Sequence, residues 1–297
     1  MKNKNYHTSV LTKEVLQYLN PQPGKIYVDA TLGGGGHTQT ILNAEPKCTV
    51  ISIDWDELAL QNAQSLKKNY GDRLELVWGN FAQLYKLLKQ IQIKKIDGIL
   101  ADFGTSQYQI HHKAGFSFQQ KTPLDMRMSP AHQKITAQNI IDKMSEKELA
   151  QIFFKYGEEK KSFAIAHAIV EQRKIIPIQN TRQLADLIYR INPPKKDQKI
   201  HPATKVFQAL RIVVNKELEN INTLLKTSLS LLNVEGKMVF ISFHSLEDRI
   251  VKNFFRENSH ILKILTPKAI TATETEIKLN PSARSAKLRA AEKTVKD

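Results

Sequence analysis

The stretch VDATLGGGGHTQT, residues 28–40, places four consecutive glycines, Gly33–Gly36, directly after a short apolar run. The chain has 12 glycines in 297 residues, so a third of them stand in this one loop. An ordered glycine costs about 0.5–1 kcal/mol of backbone entropy relative to alanine. A loop with four of them therefore raises the question of what it holds, because a glycine loop between a strand and a helix lets a ligand approach the bare backbone closely.

Short apolar runs alternate with helical patterns around this loop. The predicted buried strands are Ile26–Asp29, Thr49–Asp54, Leu74–Trp78, Asp97–Asp102 and Lys237–Ser242. The predicted helices are 37–43, 56–68 with Asp56 as N-cap, 83–90, and one that opens at Ser245–Asp248. This alternation predicts an α/β fold with a doubly wound, mostly parallel sheet.

The pattern changes between residues 106 and 204, where helical spacing replaces the strand runs. This segment has 16 Lys and Arg against 9 Asp and Glu, a net charge of +7. We therefore predict a sheet domain made of residues 1–105 and 205–297, with a basic C-terminal tail, and an inserted helical substrate-recognition domain at 106–204. Apolar positions between Phe207 and Leu229 predict one long amphipathic helix after the insertion.

Charge and composition restrict the partners. The 44 Lys and Arg minus 29 Asp and Glu give +15, which favours a nucleic-acid partner, although a generally basic proteome would give the same excess. One cysteine excludes a disulfide framework, and His111–His112 comes without a carboxylate cluster, so no metal is predicted. The absence of a signal peptide and of an apolar run of the ~18 residues that span a membrane predicts a cytoplasmic protein.

Three of the predicted strands end in an aspartate: Asp29, Asp54 and Asp102. The carboxyl ends of parallel strands meet at one edge of a sheet, where ligands bind, and an acid after the second strand suits ribose hydroxyls. The loop lacks the GxGxxG and GK[ST] spacings. Acids would repel a pyrophosphate and attract the sulfonium of S-adenosylmethionine. The residues leave S-adenosylmethionine, a nicotinamide or other nucleotide, and a structural glycine turn as alternatives.

Candidate catalytic residues follow the fourth and the last buried strands. In LADFGTSQYQI, residues 100–110, Asp102 or Ser106 could accept the N–H of an exocyclic amine and so direct its lone pair toward a methyl group. Ser106 could equally cap the next helix. His244 follows the last strand, where it could contact a base or a phosphate, or orient a loop.

Charged residues near the C-terminus allow two interpretations. A local ion pair is predicted among Glu247, Asp248 and Arg249. Arg284, Lys287 and Arg289 stand among small residues in NPSARSAKLRAAEK, residues 280–293, either as phosphate contacts or as part of a solvated final strand.

Several motifs occur in the order seen in bacterial cytosine-N4 methyltransferases of small-subunit ribosomal RNA. They are VDATLGGGGHT at 28–38, KIDGILADFGTS at 95–106, GFSF at 115–118, PLDMRM at 123–128, HPATKVFQALRI at 201–212 and SFHSLEDRIVK at 242–252. The last two are the most specific. The chain resembles this family over nearly its whole length.

The resemblance implies a class I S-adenosylmethionine-dependent methyltransferase fold with an inserted helical domain. It implies that Gly35, Gly36 and His37, with Gly34 of the same loop, contact the cofactor. Asp54 would bind the ribose, Phe81 would lie beside the adenine, and Asp102 and Gln109 would complete the pocket. The substrate implied is a cytidine in the decoding region of 16S ribosomal RNA, within an assembled or nearly assembled small ribosomal subunit.

The segment after the fourth strand departs from the family pattern. Gln107 stands for a serine, His111 for an aspartate and Ala114 for an arginine. These changes leave a non-catalytic or shifted-substrate RNA-binding assembly factor as an alternative. A nucleotide-dependent oxidoreductase and a DNA amino-methyltransferase are disfavoured by their missing motifs. The oligomeric state stays open, a homodimer being one arrangement.

Overall fold

A computed structural model describes residues 9–104, 113–194 and 200–295. The chain divides into two compact units. The first, the sheet unit, comprises Met1–Ser106 and Leu218–Asp297, and the second, the helical unit, comprises Gln107–Glu217.

The sheet unit contains a mostly parallel sheet. Its strands are β1 (Ile26–Asp29), β2 (Thr49–Asp54), β3 (Leu74–Trp78), β4 (Ile96–Asp102), β5 (Leu232–Ser242), β6 (Leu262–Ile264), β7 (Ile270–Thr271) and β8 (Lys287–Lys293). Their order is β3-β2-β1-β4-β5-β8-β6, and β7 also pairs with β8. Strands β1–β5 are parallel, whereas β8 runs antiparallel to β5, β6 and β7. The predicted doubly wound sheet is confirmed.

Helices cover both faces of this sheet. They are α1 (Thr12–Leu19), α2 (Gly36–Ala44), α3 (Glu57–Asn62), α4 (Gln64–Tyr70), α5 (Leu84–Gln90), α11 (Glu217–Leu231), α12 (Ser245–Glu257) and α13 (Glu274–Leu279). Alternate residues of each strand enter opposite cores: Val28 and Ile99 pack with α5 and α11, while Tyr27 and Leu100 pack with α1 and α2. Two-sided burial explains why these strands are continuous apolar runs.

The register of the strands sets the acidic ends at one edge. Asp29 lies opposite Ser52 and Leu100, and Asp54 lies opposite Trp78. Asp102 pairs with Ile241, near the end of β5. The carboxyl edge of the parallel strands therefore carries all three aspartates, as their sequence positions predict.

The helical unit has a core of its own. Its helices are α6 (Ala137–Lys143), α7 (Glu146–Gly157), α8 (Ser162–Ile175), α9 (Thr181–Ile191) and α10 (Ala203–Asn215). Buried Leu149, Phe153, Ile165 and Leu184 fill the space between these helices. The compact unit extends to residue 217, beyond the expected boundary at 204, because α10 buries Val206 and Leu210 in this core.

The predicted long helix is two helices. Lys216 adopts a left-handed conformation with φ 52° and separates α10 from α11. Phe207, Leu210 and Val214 pack in the helical unit, whereas Leu225 and Leu229 pack in the sheet unit. In the sequence the apolar spacing continues without interruption from Phe207 to Leu229, so periodicity alone could not locate the break.

The predicted basic tail is part of the sheet. β8 is a largely buried strand, and Arg289 is only 8% exposed. Its guanidinium binds the Asp248 carboxylate through two hydrogen bonds of 2.6 and 3.2 Å. Asp248 therefore pairs with Arg289, a partner outside the 247–249 segment, and a further ion pair of Arg249 stays a prediction. Arg289 is thereby removed from the phosphate contacts considered above, and the strand it belongs to is not solvated.

Replacing Arg289 by alanine tests the energetic weight of this pair. The change leaves Asp248 poorly solvated and without its cation, and we expect the free energy of unfolding to fall by about 3–5 kcal/mol. Urea denaturation measures the loss. Lys174→Ala, which removes an exposed pair with Glu171, is the control and should cost under about 1 kcal/mol. Equal losses would show that the buried pair has no special weight.

Among the described residues, no helix combines the length and the apolar character needed to cross a bilayer.

Candidate active site

The glycine loop connects β1 to α2 with a backbone that tolerates few side chains. Gly33 and Gly35 adopt positive φ angles of 50° and 78°. A Cβ atom at Gly35 would overlap the Leu66 side chain, and one at Gly36 would overlap the Ser9 hydroxyl. Gly34 is the exposed member of the loop. The bare backbone is therefore a requirement of the local packing as well as an accessible surface.

Asp29, at the end of β1, stabilises the loop through buried hydrogen bonds. Its carboxylate is fully buried and accepts the Thr38 hydroxyl at 2.7 Å and the Thr31 backbone N–H at 3.2 Å. Burial raises the pKa of Asp29. The Thr31 hydroxyl in turn accepts the backbone N–H of Asp102 at 2.7 Å. Of the three aligned acids, Asp29 is thus committed to the internal structure of the loop.

Asp54 connects the loop to the end of β2. One carboxylate oxygen accepts the Gly33 N–H at 2.9 Å and the other accepts the Asp56 N–H at 2.8 Å. Burial raises the pKa of Asp54 to about 6. A carboxylate has roughly four acceptor positions, so each oxygen can still accept a hydroxyl. Trp55 follows β2, and Trp78 is the last residue of β3. Nε1 of Trp78 donates to the Trp55 carbonyl at 3.1 Å.

His37 is a buried ring whose polar atoms lack partners. It lies in the first turn of α2 and is 4% exposed. Among the residues that the structure describes, neither ring nitrogen has a hydrogen-bond partner. Nε2 of His37 lies 3.6 Å from Oδ2 of Asp102, which is too far for a hydrogen bond. Buried polar atoms without partners are rare and costly, so this position fits a site that a polar ligand completes.

Aromatic side chains form the apolar part of the edge. Phe81 begins a short 3-10 turn after β3, which Asn80 caps by accepting the Ala82 N–H at 2.9 Å. The Phe81 and Phe103 rings lie 6.1 Å apart. Phe81 is half-buried, as a wall beside a flat heterocycle requires.

His244 caps a helix. Its Nδ1 accepts the Glu247 N–H at 3.4 Å, while Oε2 of Glu247 accepts the backbone N–H groups of Phe243 and His244. The N-cap of α12 is therefore His244, and the helix begins at Ser245, as the sequence predicts. Nδ1 of His244 therefore orients local structure, whereas its buried Nε2 has no hydrogen-bond partner among the described residues, so a contact with a base or a phosphate stays a prediction.

Some predicted site residues lie outside the described structure, and some residues of the observed site were not predicted. Ser106 and Gln109, with the substituted Gln107 and His111, lie outside the described residues. Sequence reasoning missed Thr31 and Thr38, whose hydroxyls connect the acids. It also missed Ser242, a buried hydroxyl at the end of β5 with no partner among described residues. Only the position of these residues beside strand ends could have indicated them.

The strand order, the glycine loop after β1 and the acids that end β2 and β4 define a class I S-adenosylmethionine-dependent methyltransferase. The fit is chemical as well as topological, because a bare backbone, an acidic edge and an unsatisfied imidazole suit a cationic nucleoside.

Comparison with known proteins identifies the family. The family model for the MraW methylase family matches residues 4–294, and the chain belongs to this family. It is 48% identical to ribosomal RNA small subunit methyltransferase H of Sulfurihydrogenibium sp., over 95% of this chain and 97% of that protein.

Two further relatives carry the same description. The Thermotoga neapolitana protein is 46% identical over 98% of this chain and 97% of its own length. The Nostoc punctiforme protein is 48% identical over 97% of this chain and 94% of its own length.

Proposed function

We propose that this protein transfers a methyl group from S-adenosylmethionine to the N4 amine of one cytidine in the decoding region of small-subunit ribosomal RNA. The observation that carries the proposal is the edge where the bare glycine loop, Asp54, His37 and Asp102 come together. The names of the full-length relatives support the RNA substrate, and the net charge of +15 suits a polyanion.

Each part of the cofactor would contact a different group of residues along this edge. The loop at Gly34–Gly36 would admit the methionine portion, and Asp54 would accept hydrogen bonds from the ribose hydroxyls. Phe81 would cover the adenine. His37 would donate a hydrogen bond to a bound ligand, which would remove the cost of its buried, unpartnered nitrogens. Gln109 would complete the pocket.

The bound cofactor supplies a methyl group activated by a positively charged sulfur. Asp102 would accept one N–H of the cytosine amine and aim the nitrogen lone pair at the methyl carbon. As the new C–N bond forms, the C–S bond breaks and its electron pair stays on sulfur. The amine nitrogen then loses one proton to Asp102 or to solvent. Ser106 would share the positioning of the amine. His244 would act as a helper without proton transfer: its Nδ1 caps α12, and its buried Nε2, which has no hydrogen-bond partner among the described residues, would contact the target base or a phosphate.

The helical unit and the assembly state of the substrate belong to the same proposal. We infer that residues 107–217, with their excess of basic residues, bind RNA around the target in an assembled or nearly assembled small subunit in the cytoplasm. The target nucleotide would leave its stack to reach Asp102, at a cost of a few kcal/mol that surrounding backbone contacts offset.

The direct experiment uses small ribosomal subunits that lack the modification. The protein is incubated with them and labelled S-adenosylmethionine, and the RNA is digested for nucleoside mass spectrometry. N4-methylcytidine at one position is the expected product. Binding of S-adenosylhomocysteine and of subunits without any methylated nucleoside would instead show a non-catalytic assembly factor. A methylated nucleoside of another kind would contradict the amine as acceptor.

The raised pKa of Asp54 gives a pH dependence to cofactor binding. Only the ionised carboxylate accepts both ribose hydroxyls, so we expect the dissociation constant of S-adenosylhomocysteine to rise about tenfold per pH unit below 6. A group whose pKa is raised by folding favours the folded state as pH falls, so Asp54 itself would not cause unfolding in this range. Titration calorimetry between pH 5 and about 8 measures the effect. Asp54→Asn should bind weakly at every pH, and an unchanged slope in this variant would assign the titration elsewhere.

A further inference from the structure

A cleft in the helical unit contains none of the residues assigned to the cofactor. It has a volume of about 540 Å³ and lies between the C-terminal end of α8 and helix α9. Its walls include Gln172, Ile176, Gln183, Asp186, Tyr189 and Arg190. This size is typical of sites for small organic ligands.

A series of stacked rings leads from the core of this unit to the cleft. Phe207 is buried and contacts Phe118 edge-on, with centroids 5.1 Å apart. Phe118 packs on His201 at 4.6 Å, and His201 stacks on Tyr189 at 5.9 Å with 30° between the planes. Tyr189 is 46% exposed and also lines the cleft. The outermost ring is therefore held in place by three others, while much of its surface is free.

The chemistry around Tyr189 favours a nucleotide. Ile176 is 59% exposed and supplies an apolar wall. Nε2 of Gln172 donates to the Ile176 carbonyl and Oε1 of Gln183 accepts the Gln179 N–H, and each amide has further donor and acceptor capacity for a ligand. Arg190 is exposed and lines the same cleft. The one acid in the wall, Asp186, is paired with Arg182 at 3.2 Å. Residues 113–194 and 200–217 hold 16 Lys and Arg and 9 Asp and Glu, so their net charge of +7 complements a polyanion.

We propose that this cleft binds one unstacked nucleotide of the RNA substrate, distinct from the nucleotide that is methylated. The base stacks on Tyr189, the glutamine amides contact its edge, and Arg190 contacts a phosphate. This inference rests on the proposed function, because it takes the substrate to be RNA. Stacking on an aromatic side chain suits every base, so the cleft would add affinity with little sequence preference.

Substitution of Tyr189 tests this directly. Binding of a fluorescent single-stranded oligoribonucleotide is measured by anisotropy, and the KM and kcat for small subunits are measured in parallel. Tyr189→Ala should raise the dissociation constant about 5- to 100-fold and raise KM without lowering kcat, and Tyr189→Trp should restore both. Arg190→Ala should lower the slope of log K against log salt by about 1.

Phe163→Ala is the matched control, since Phe163 is an aromatic residue of α8 that is 66% exposed. If Tyr189→Ala equals this control in both binding and KM while the wild type methylates subunits, the inference fails and the proposed function stands. If the wild type methylates nothing, the proposed function fails, and oligonucleotide binding still decides the role of Tyr189. Loss of binding to intact subunits but not to naked RNA would assign the cleft to a protein and overturn the inference.

Discussion

Asp102→Asn should lower kcat for methyl transfer by about 10²- to 10³-fold, the usual cost of removing one preorganised electrostatic contact to a transition state. The amide keeps the shape of the side chain and loses the negative charge. Asp102 is 9% exposed at the end of β4, where its carboxylate faces His37 at 3.6 Å. The carboxylates of Asp29 and Asp54 accept backbone N–H groups of the loop after β1, whereas the Asp102 carboxylate accepts the Gly104 N–H at 3.4 Å.

Cofactor binding separates a catalytic effect from a structural one. S-adenosylhomocysteine has no sulfonium charge, so its affinity should change less than about threefold in Asp102→Asn, whereas S-adenosylmethionine should bind more weakly. Asp72→Asn is the matched control, because Asp72 is an exposed acid in the turn before β3 and its kcat should stay at the wild-type value. A kcat within tenfold of wild type in Asp102→Asn would remove Asp102 from the transfer step.

Gly115→Ala should disrupt the helical unit and leave cofactor binding intact. Gly115 has φ +93°, and a Cβ there would lie 2.6 Å from the Met126 nitrogen and 2.9 Å from the Asp125 nitrogen. Backbone atoms cannot move aside as a flexible side chain does. The strained angle and the overlap together should cost about 3 kcal/mol or more. Thermal unfolding should therefore begin at lower temperature, and methylation of subunits should be lost.

The contacts of the glycine loop lie in the sheet unit, so S-adenosylhomocysteine should still bind to Gly115→Ala, with no more than the loss of the proposed Gln109 contact. Gly24→Ala separates the two costs, because Gly24 has φ +72° and no atom within 4 Å of an added Cβ. Only the left-handed backbone is strained there, at about 1 kcal/mol. Similar losses in both variants would show that the overlap with Met126 and Asp125 is relieved at no cost.

The strands of the parallel sheet could be predicted from the sequence, because burial on both faces makes each of them a continuous apolar run. Continuous apolar runs predicted β1, β2 and β3 with the same bounds as in the structure, and the shared edge of the acids that end β1, β2 and β4 follows from parallel pairing. The site followed from the same logic, because a loop after β1 and acids after β2 and β4 share one edge. The structure places the loop and these acids at that edge as predicted, and their roles in binding and catalysis stay predictions.

Features that depend on a particular partner could not be predicted. Lys293 reads as a solvated lysine, yet it is 2% exposed because its ammonium donates to the carbonyls of Leu229 and Leu232. Arg289 is buried for a similar reason, through Asp248. His244 is an uncommon N-cap, and Lys216 breaks a helix without glycine or proline. In each case a contact distant in sequence, or a single backbone angle, decides the outcome.

The placement of the two tryptophans makes intrinsic fluorescence a probe of the cofactor edge. Trp55 and Trp78 are the chain's only indoles, and they adjoin each other beside Asp54. Their emission should therefore change when the ribose and adenine of a cofactor bind at this edge. RNA binding at the Tyr189 cleft should leave the emission unchanged, unless it changes the conformation of the cofactor edge. A single titration with unlabelled protein would then follow cofactor occupancy during RNA binding, and would show directly whether the two ligands influence each other.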